Sequence, residues 1–184
     1  MVSHSRKVQT SSKSDEHYTP KHIVQLALDF FGEIDLDPAS NSKEDPNVPA
    51  KEVFTSWDDG LTKSWGPAPK KVWLNPPYSQ NKQWAAKVVS EYQEGHIKEI
   101  LLLLPVRLGV GWFKTYMKLN PVILPIEGRL KFGNSKSSAP FESMLLYVGD
   151  NPQGFLDCFE SIASTVLVSC RNTGKVSEVL ELVD

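Results

Sequence analysis

The sequence has only two cysteines, Cys158 and Cys170, in 184 residues. Two thiols make neither a disulfide framework nor a cysteine-rich zinc site, and they suit a reducing compartment, so a cytoplasmic location is expected. Long apolar runs are also missing. Ile100–Leu104 is as long as any, far below the ~20 residues that a bilayer-spanning helix needs. The first 16 residues hold no apolar stretch of signal-peptide type, and no secretory leader is expected. The histidines, His4, His17, His22 and His96, are scattered and show no metal-ligand spacing, so no metal is expected. There is no excess of one charge: 20 basic residues face 22 acidic ones, a net charge of -2. A uniformly basic coat for nucleic acid is therefore excluded, and a local basic face is not.

What is present is enough for a core. Hydrophobic residues make up 40% and aromatic residues 10%, which excludes wholesale disorder, and the length fits one domain. Residues 1–16 are expected to form a flexible tail, leaving 17–184 as a single catalytic-sized domain without a separate target-recognition domain. Thr19 and Pro20 read as the N-cap and first position of a helix. Ile23, Val24, Ala27, Leu28 and Phe31 recur at helical spacing before Gly32. Strands are expected at Glu33–Asp37, Val53–Phe54, Val72–Leu74, Glu99–Leu104, Val122–Phe132, Glu142–Val148 and Thr165–Val168. Helices are expected at Gln83–Glu94, Trp112–Leu119 and Phe155–Ile162. Val176–Val183 fits either a strand or a helical turn. The continuous apolar run at 100–104 marks a central strand covered on both faces. The alternation of helices and strands argues for an α/β layered fold with a mostly parallel sheet and an antiparallel hairpin at one edge. The stretch Leu108-Gly109-Val110-Gly111 lacks the Lys-Ser/Thr of a phosphate loop and reads as a turn.

The most informative segment is Asn75-Pro76-Pro77-Tyr78, directly after the strand at Val72–Leu74. Two prolines lack the N–H groups that a ladder needs, so the strand stops with Asn75 at its carboxyl end. In open α/β sheets that edge is where ligands bind. The order of residues fits one kind of chemistry. An exocyclic amine on a flat base is a poor nucleophile, because its lone pair is delocalised into the ring. Two acceptors aimed at its N–H groups draw the nitrogen toward tetrahedral geometry. The Asn75 side-chain carbonyl offers one, and the Pro76 backbone carbonyl, stiffened by the prolines, the other. Tyr78 offers a flat face for an extruded base, worth roughly 1–3 kcal/mol by analogy with single-strand binders. Cys158 and Cys170 read as small core residues.

This tetrapeptide resembles the catalytic motif of S-adenosylmethionine-dependent amino-methyltransferases. Four further stretches, in order, resemble the small phage-type (Dam-like) DNA N6-adenine methyltransferases. They are His17-Tyr18-Thr19-Pro20, Asp35-Leu36-Asp37-Pro38-Ala39-Ser40, Asp59-Gly60-Leu61 with Trp65, and Gly128-Arg129-Leu130-Lys131-Phe132 followed by Ser138-Ala139-Pro140-Phe141. The resemblance implies a Rossmann-like methyltransferase fold, S-adenosylmethionine as cofactor and adenine in double-stranded DNA as acceptor, flipped onto catalytic Asn75, Pro76, Pro77 and Tyr78. It implies cofactor contacts from Tyr18, Thr19, Pro20, Asp37, Pro38 and Ala39 at the methionine end, and from Asp59 at the adenine. The sequence departs from the wider superfamily in two places. Asn41-Ser42-Lys43 stands where a Gly-x-Gly-like loop is expected, and only 37 positions separate Asp37 from Asn75. That span is short for a helix and two strands, and it leaves Glu52 as the candidate ribose-binding acid.

Charge is unevenly spread. Residues 105–140 carry a net +5 and residues 150–184 a net −4. Arg107, Arg129, Lys131 and Lys136 are the candidate phosphate contacts. Arg129 and Lys131 are expected on one face of a strand. Loops 133–141 and 106–113 are candidates for reading the target. Two alternatives accompany this reading: the same chemistry on RNA or a protein glutamine, and a non-catalytic relative that binds DNA.

Overall fold

The structure, a computed structural model, describes residues 17–133, 135–163 and 165–168. The tail expected over 1–16, Cys170 and the segment Val176–Val183 lie outside the described residues. Among the described residues, seven strands form one sheet: β1 (Ile34–Asp37), β2 (Ala50–Val53), β3 (Lys70–Leu74), β4 (Ile97–Pro105), β5 (Val122–Pro125), β6 (Ser143–Val148) and β7 (Leu167–Val168). Their spatial order is β2-β1-β3-β4-β6-β5-β7. β2, β1, β3 and β4 run parallel. β6 is antiparallel to both β4 and β5, and β7 is antiparallel to β5. The expected antiparallel pair is thus β5 and β6, with two-residue β7 beyond it.

Four α-helices among the described residues cover the sheet: α1 (Lys21–Phe31), α2 (Asn81–Gln93), α3 (Gly111–Tyr116) and α4 (Pro152–Phe159). β4 explains the layering. Its side chains alternate between two cores, as the strand period of two requires. Leu101 and Leu103 join Ile23, Ala27, Phe31, Phe155 and Phe159 under α1 and α4. Ile100, Leu102 and Leu104 join Trp84, Val88, Phe113 and Tyr116 under α2 and α3. Each fully buried leucine contributes on the order of 1.5–3 kcal/mol, and all five residues of this run are fully buried. This is the Rossmann-like methyltransferase fold that the sequence implied. No helix among the described residues is long and apolar enough to cross a membrane.

Several boundaries differ from the sequence expectation. α1 starts at Lys21 with Pro20 as its cap, and the Thr19 hydroxyl does not cap it; Thr19 is buried and engaged elsewhere. The strand expected to reach Phe132 ends at Pro125. Arg129 and Lys131 therefore lie in irregular chain, not on a strand, although both are exposed and the intervening Leu130 is buried. α4 starts three residues early, because Asn151 accepts the Gly154 N–H at 3.1 Å and Pro152 suits the first turn. Cys158 is half-buried, its thiol 3.5 Å from the Leu26 carbonyl.

Between β1 and β3 the chain forms β2 and no helix, which accounts for the short span from Asp37 to Asn75. The segment below is tied down by Glu91, 2% exposed. Its carboxylate meets Lys87 at 2.5 Å and His96 at 2.6 Å, and accepts the Trp65 N–H at 3.1 Å. A buried carboxylate so paired is held ionised, its pKa below the ordinary value: its own burial opposes this, and the Lys87, His96 and Trp65 N–H contacts outweigh it.

Candidate active site

The parallel strands bring their carboxyl ends to one edge. Asp37 ends β1, Thr55 and Ser56 follow β2, and Asn75 follows β3. β5 delivers the chain that leads to Phe132 at the same edge, and antiparallel β6 starts there just after Phe141, since Ser143 pairs with Pro105. A cavity of about 380 Å³ opens at this edge, within the range of small-ligand sites. Tyr18, Thr19, Asp37, Pro38, Ala39, Asp59, Asn75 and Pro77 all line it. Pro20 does not; it borders a second depression with His22, Glu127, Arg129 and Lys131. Pro76 is buried beneath the turn. Tyr78 faces an aromatic group beside the cavity. Glu52 pairs with Lys70 and does not line the cavity.

Asn75 is the centre of the geometry. Its side-chain N–H₂ donates to the His17 carbonyl at 2.6 Å and to the Thr19 hydroxyl at 3.1 Å. These two acceptors fix which way the amide points. Its Oδ1 is buried and has no hydrogen-bond partner. This is why Thr19 does not cap α1: its hydroxyl serves Asn75. A buried acceptor left unpaired costs roughly 1–3 kcal/mol, and it stands ready for a donor that the protein itself does not supply.

Asp37 is 4% exposed. It turns the chain by accepting the Ala39 N–H at 3.1 Å. The turn is locked by Ser40 N–H to the Phe54 carbonyl at 2.8 Å and by Phe54 N–H to the Asp37 carbonyl at 2.9 Å. This turn occupies the place of the missing glycine loop. Burial pushes the Asp37 carboxyl up to about 7, against the pull of the Ala39 N–H and the Ser40 hydroxyl. A cation beside it would favour its charged form. Asp59 sits at positive φ, 55°, and accepts the Leu61 N–H at 3.2 Å. Gly60 is required by close approach, because a methyl there would lie 2.0 Å from the Pro38 carbonyl oxygen and 3.2 Å from the Trp84 ring. The Gly60 carbonyl accepts the Trp65 indole N–H at 2.9 Å.

Sequence reasoning missed part of the lining: Asn41, Asn47, Val48, Thr55, Ser56, Gln80 and Trp84. Asn47 donates to the Thr19 carbonyl at 3.1 Å, and the Trp84 indole N–H is buried with no acceptor. Asn41 and Asn47 lay in a loop with no motif, and Trp84 read as one helix position among several. The candidate phosphate contacts are all exposed. Arg107 follows β4 at the site's edge. Lys136 lies between Phe132 and Phe141. Arg129 and Lys131 border the second depression, about 570 Å³ in volume.

The fold is that of methyltransferases, with Asn75-Pro76-Pro77-Tyr78 at the carboxyl end of β3 beside the cavity. Residues 6–147 match the family described as DNA N-6-adenine-methyltransferase (Dam). The chain belongs to that family. It is 30% identical over 112 residues to a DNA N-6-adenine-methyltransferase of Escherichia phage T1, covering 61% of this chain and 44% of that protein. It is 25% identical over 131 residues to a DNA N-6-adenine-methyltransferase of Haemophilus phage HP1 (strain HP1c1), covering 69% of this chain and 72% of that one. The chain thus spans less than half the length of the T1 relative.

Two outcomes follow for the cavity floor. Gly60→Ala forces Pro38 or the Trp84 ring to move and should cost about 1–3 kcal/mol, read as a lowered urea midpoint; an unchanged midpoint would show that the approach is not tight. Asp37 binds a proton in the folded chain that it lacks unfolded between about pH 4 and 7, so its contribution to stability falls as pH rises through that window. Asp37→Asn keeps the oxygen that accepts the Ala39 N–H and removes the titration. Its thermal midpoint should gain on the wild type's between about pH 5 and pH 8; parallel curves would contradict the assignment.

Proposed function

We propose that the protein transfers a methyl group from S-adenosylmethionine to the N6 amine of adenine in double-stranded DNA. The observation that carries this reading is the buried, unpartnered Oδ1 of Asn75, beside a cavity lined by the cofactor residues that the resemblance implied. The residues fit the cofactor. Asp37 is a buried carboxyl that a positive charge would ionise, Asp59 can accept an amino N–H, and Trp84 holds an unused indole donor. Tyr18, Thr19, Pro38 and Ala39 would close the methionine end. Pro20 would act only through the start of α1, since it does not line the cavity.

When bound, the cofactor supplies an electrophilic methyl group on a positively charged sulfur. The protein's task is then alignment. Asn75 Oδ1 and the Pro76 carbonyl would each accept one N–H of the adenine amine and turn its lone pair toward the methyl carbon. On transfer the amine would gain the methyl group and shed one proton to solvent, leaving the cofactor as the neutral thioether. Neither Asn75 nor a proline carbonyl acts as a strong base, so the rate comes from positioning and preorganised dipoles. Tyr78 would stack the extruded base. Arg107, Arg129, Lys131 and Lys136 would hold the phosphates on either side of it, and loops 106–113 and 133–141 would read the duplex.

The test is tritiated-methyl transfer from S-adenosylmethionine to unmethylated DNA, RNA and protein in parallel. Counts should appear in DNA and digest to N6-methyldeoxyadenosine. Asn75→Ala should lower kcat by about 10²–10³-fold; it removes the orphan oxygen but also the two hydrogen bonds to the His17 carbonyl and the Thr19 hydroxyl, so its thermal midpoint should fall modestly while the chain stays folded. Counts confined to RNA or protein would reassign the acceptor. Cofactor binding without transfer to any of the three would leave a non-catalytic DNA-binding relative.

A further inference from the structure

The Tyr78 ring, on which the target base would stack, is already in contact with another flat ring. The imidazole of His17 packs against Tyr78 in a tilted arrangement, with ring centroids 4.8 Å apart and planes inclined by 33°. Phe132 and Phe141 close around the same imidazole at 4.9 Å and 5.6 Å. They also meet the Tyr78 ring edge-on, at 6.4 Å and 5.5 Å. Three aromatic rings from three separate segments thus enclose one flat, nitrogen-bearing ring at the carboxyl edge of β3. A purine cannot be added to this group. Two rings 4.8 Å apart leave no room for a third between them.

The backbone around His17 is held independently of that ring. Asn75 donates to the His17 carbonyl at 2.6 Å, Gly133 N–H to the Tyr18 carbonyl at 2.8 Å, and Asn47 to the Thr19 carbonyl at 3.1 Å. Three consecutive carbonyls therefore pin the strap at 17–19 across the site. Rotation about the His17 side-chain bonds moves the imidazole and leaves all three bonds in place. The His17 carbonyl keeps orienting Asn75 whichever way the ring points.

We propose that the His17 imidazole stands in for the target base in the DNA-free protein, within a slot formed by Tyr78, Phe132 and Phe141, and that the flipped purine must displace it. This rests on the DNA-methylating function proposed above and adds a gate to it. A base enters only when the ring has swung out, so the apparent affinity for DNA is reduced by the fraction of time the slot is open. Phe132 and Phe141 become the walls that hold the base, which gives a physical reason for two phenylalanines nine residues apart to converge on the turn.

Two measurements test it together. His17→Ala empties the slot and keeps the backbone strap; its KM for unmethylated DNA should fall about three- to tenfold. His17→Trp fills the slot with a larger ring and should raise KM. In the wild type, the imidazole Cε1–H resonance of His17, assigned by its loss in His17→Ala, should lie upfield in the free protein from the surrounding ring currents. It should move downfield when a short duplex that the enzyme methylates is added with S-adenosylhomocysteine. A higher KM in both variants, or a resonance that keeps its upfield position in the complex, would overturn the gate while leaving the methylating function standing. No transfer to DNA by the wild type would overturn that function, and the gate with it.

Discussion

The orientation of one side-chain amide governs this site. Asn75 has two donors and one acceptor oxygen, and the protein spends both donors internally, on the His17 carbonyl and the Thr19 hydroxyl. The oxygen is left buried and unpaired. Had the amide been reversed, its nitrogen would face the ligand and two protein acceptors would face an oxygen. The local structure forbids that reversal. An unpaired buried acceptor is a standing cost to the fold, and in the methyl-transfer reading proposed above it is the acceptor that receives the amine N–H.

The rest of the architecture serves to place that amide. Parallel pairing of β1, β2 and β3 puts Asp37, Thr55 and Asn75 at one edge. The prolines after Asn75 end the strand and stiffen the turn. α1 enters from the same edge, so the residues just before it cross the site. The antiparallel pair β5 and β6 returns Phe132 and Phe141 to this edge as well. The absence of a helix between β1 and β2 is met by the Asp37–Ser40 turn and by Gly60, whose missing side chain lets the Pro38 carbonyl approach. Cavity and aromatic cluster thus share the Asn75 turn.

What the sequence made legible were features with strong local causes. Asn75-Pro76-Pro77 marks a strand end in any context, because two residues lack a donor. The apolar run at 100–104, too short for a helix of usual length, reads as a strand buried on both faces. Asp37-Pro38 reads as a turn for the same local reason. What stayed hidden depended on partners far along the chain. Thr19 looked like a helix cap until Asn75, 56 residues on, claimed its hydroxyl. Arg129 and Lys131 alternate with buried neighbours as a strand would, yet the ladder stops at Pro125. Asn47 and Trp84 belong to no motif and reach the cavity only through tertiary contact. Phe132 and Phe141 were visible as parts of a signature, but their convergence on Tyr78 and His17 was not.

A structure of the protein with a non-reactive cofactor analogue and an oligonucleotide carrying its target adenine tests the central claim most directly. The account predicts the adenine amine within hydrogen-bond distance of Asn75 Oδ1, with the Asn75 nitrogen still on the His17 carbonyl and the Thr19 hydroxyl. An Asn75 oxygen that remains unpartnered in the complex, or an amide turned so that its nitrogen faces the base, would contradict it.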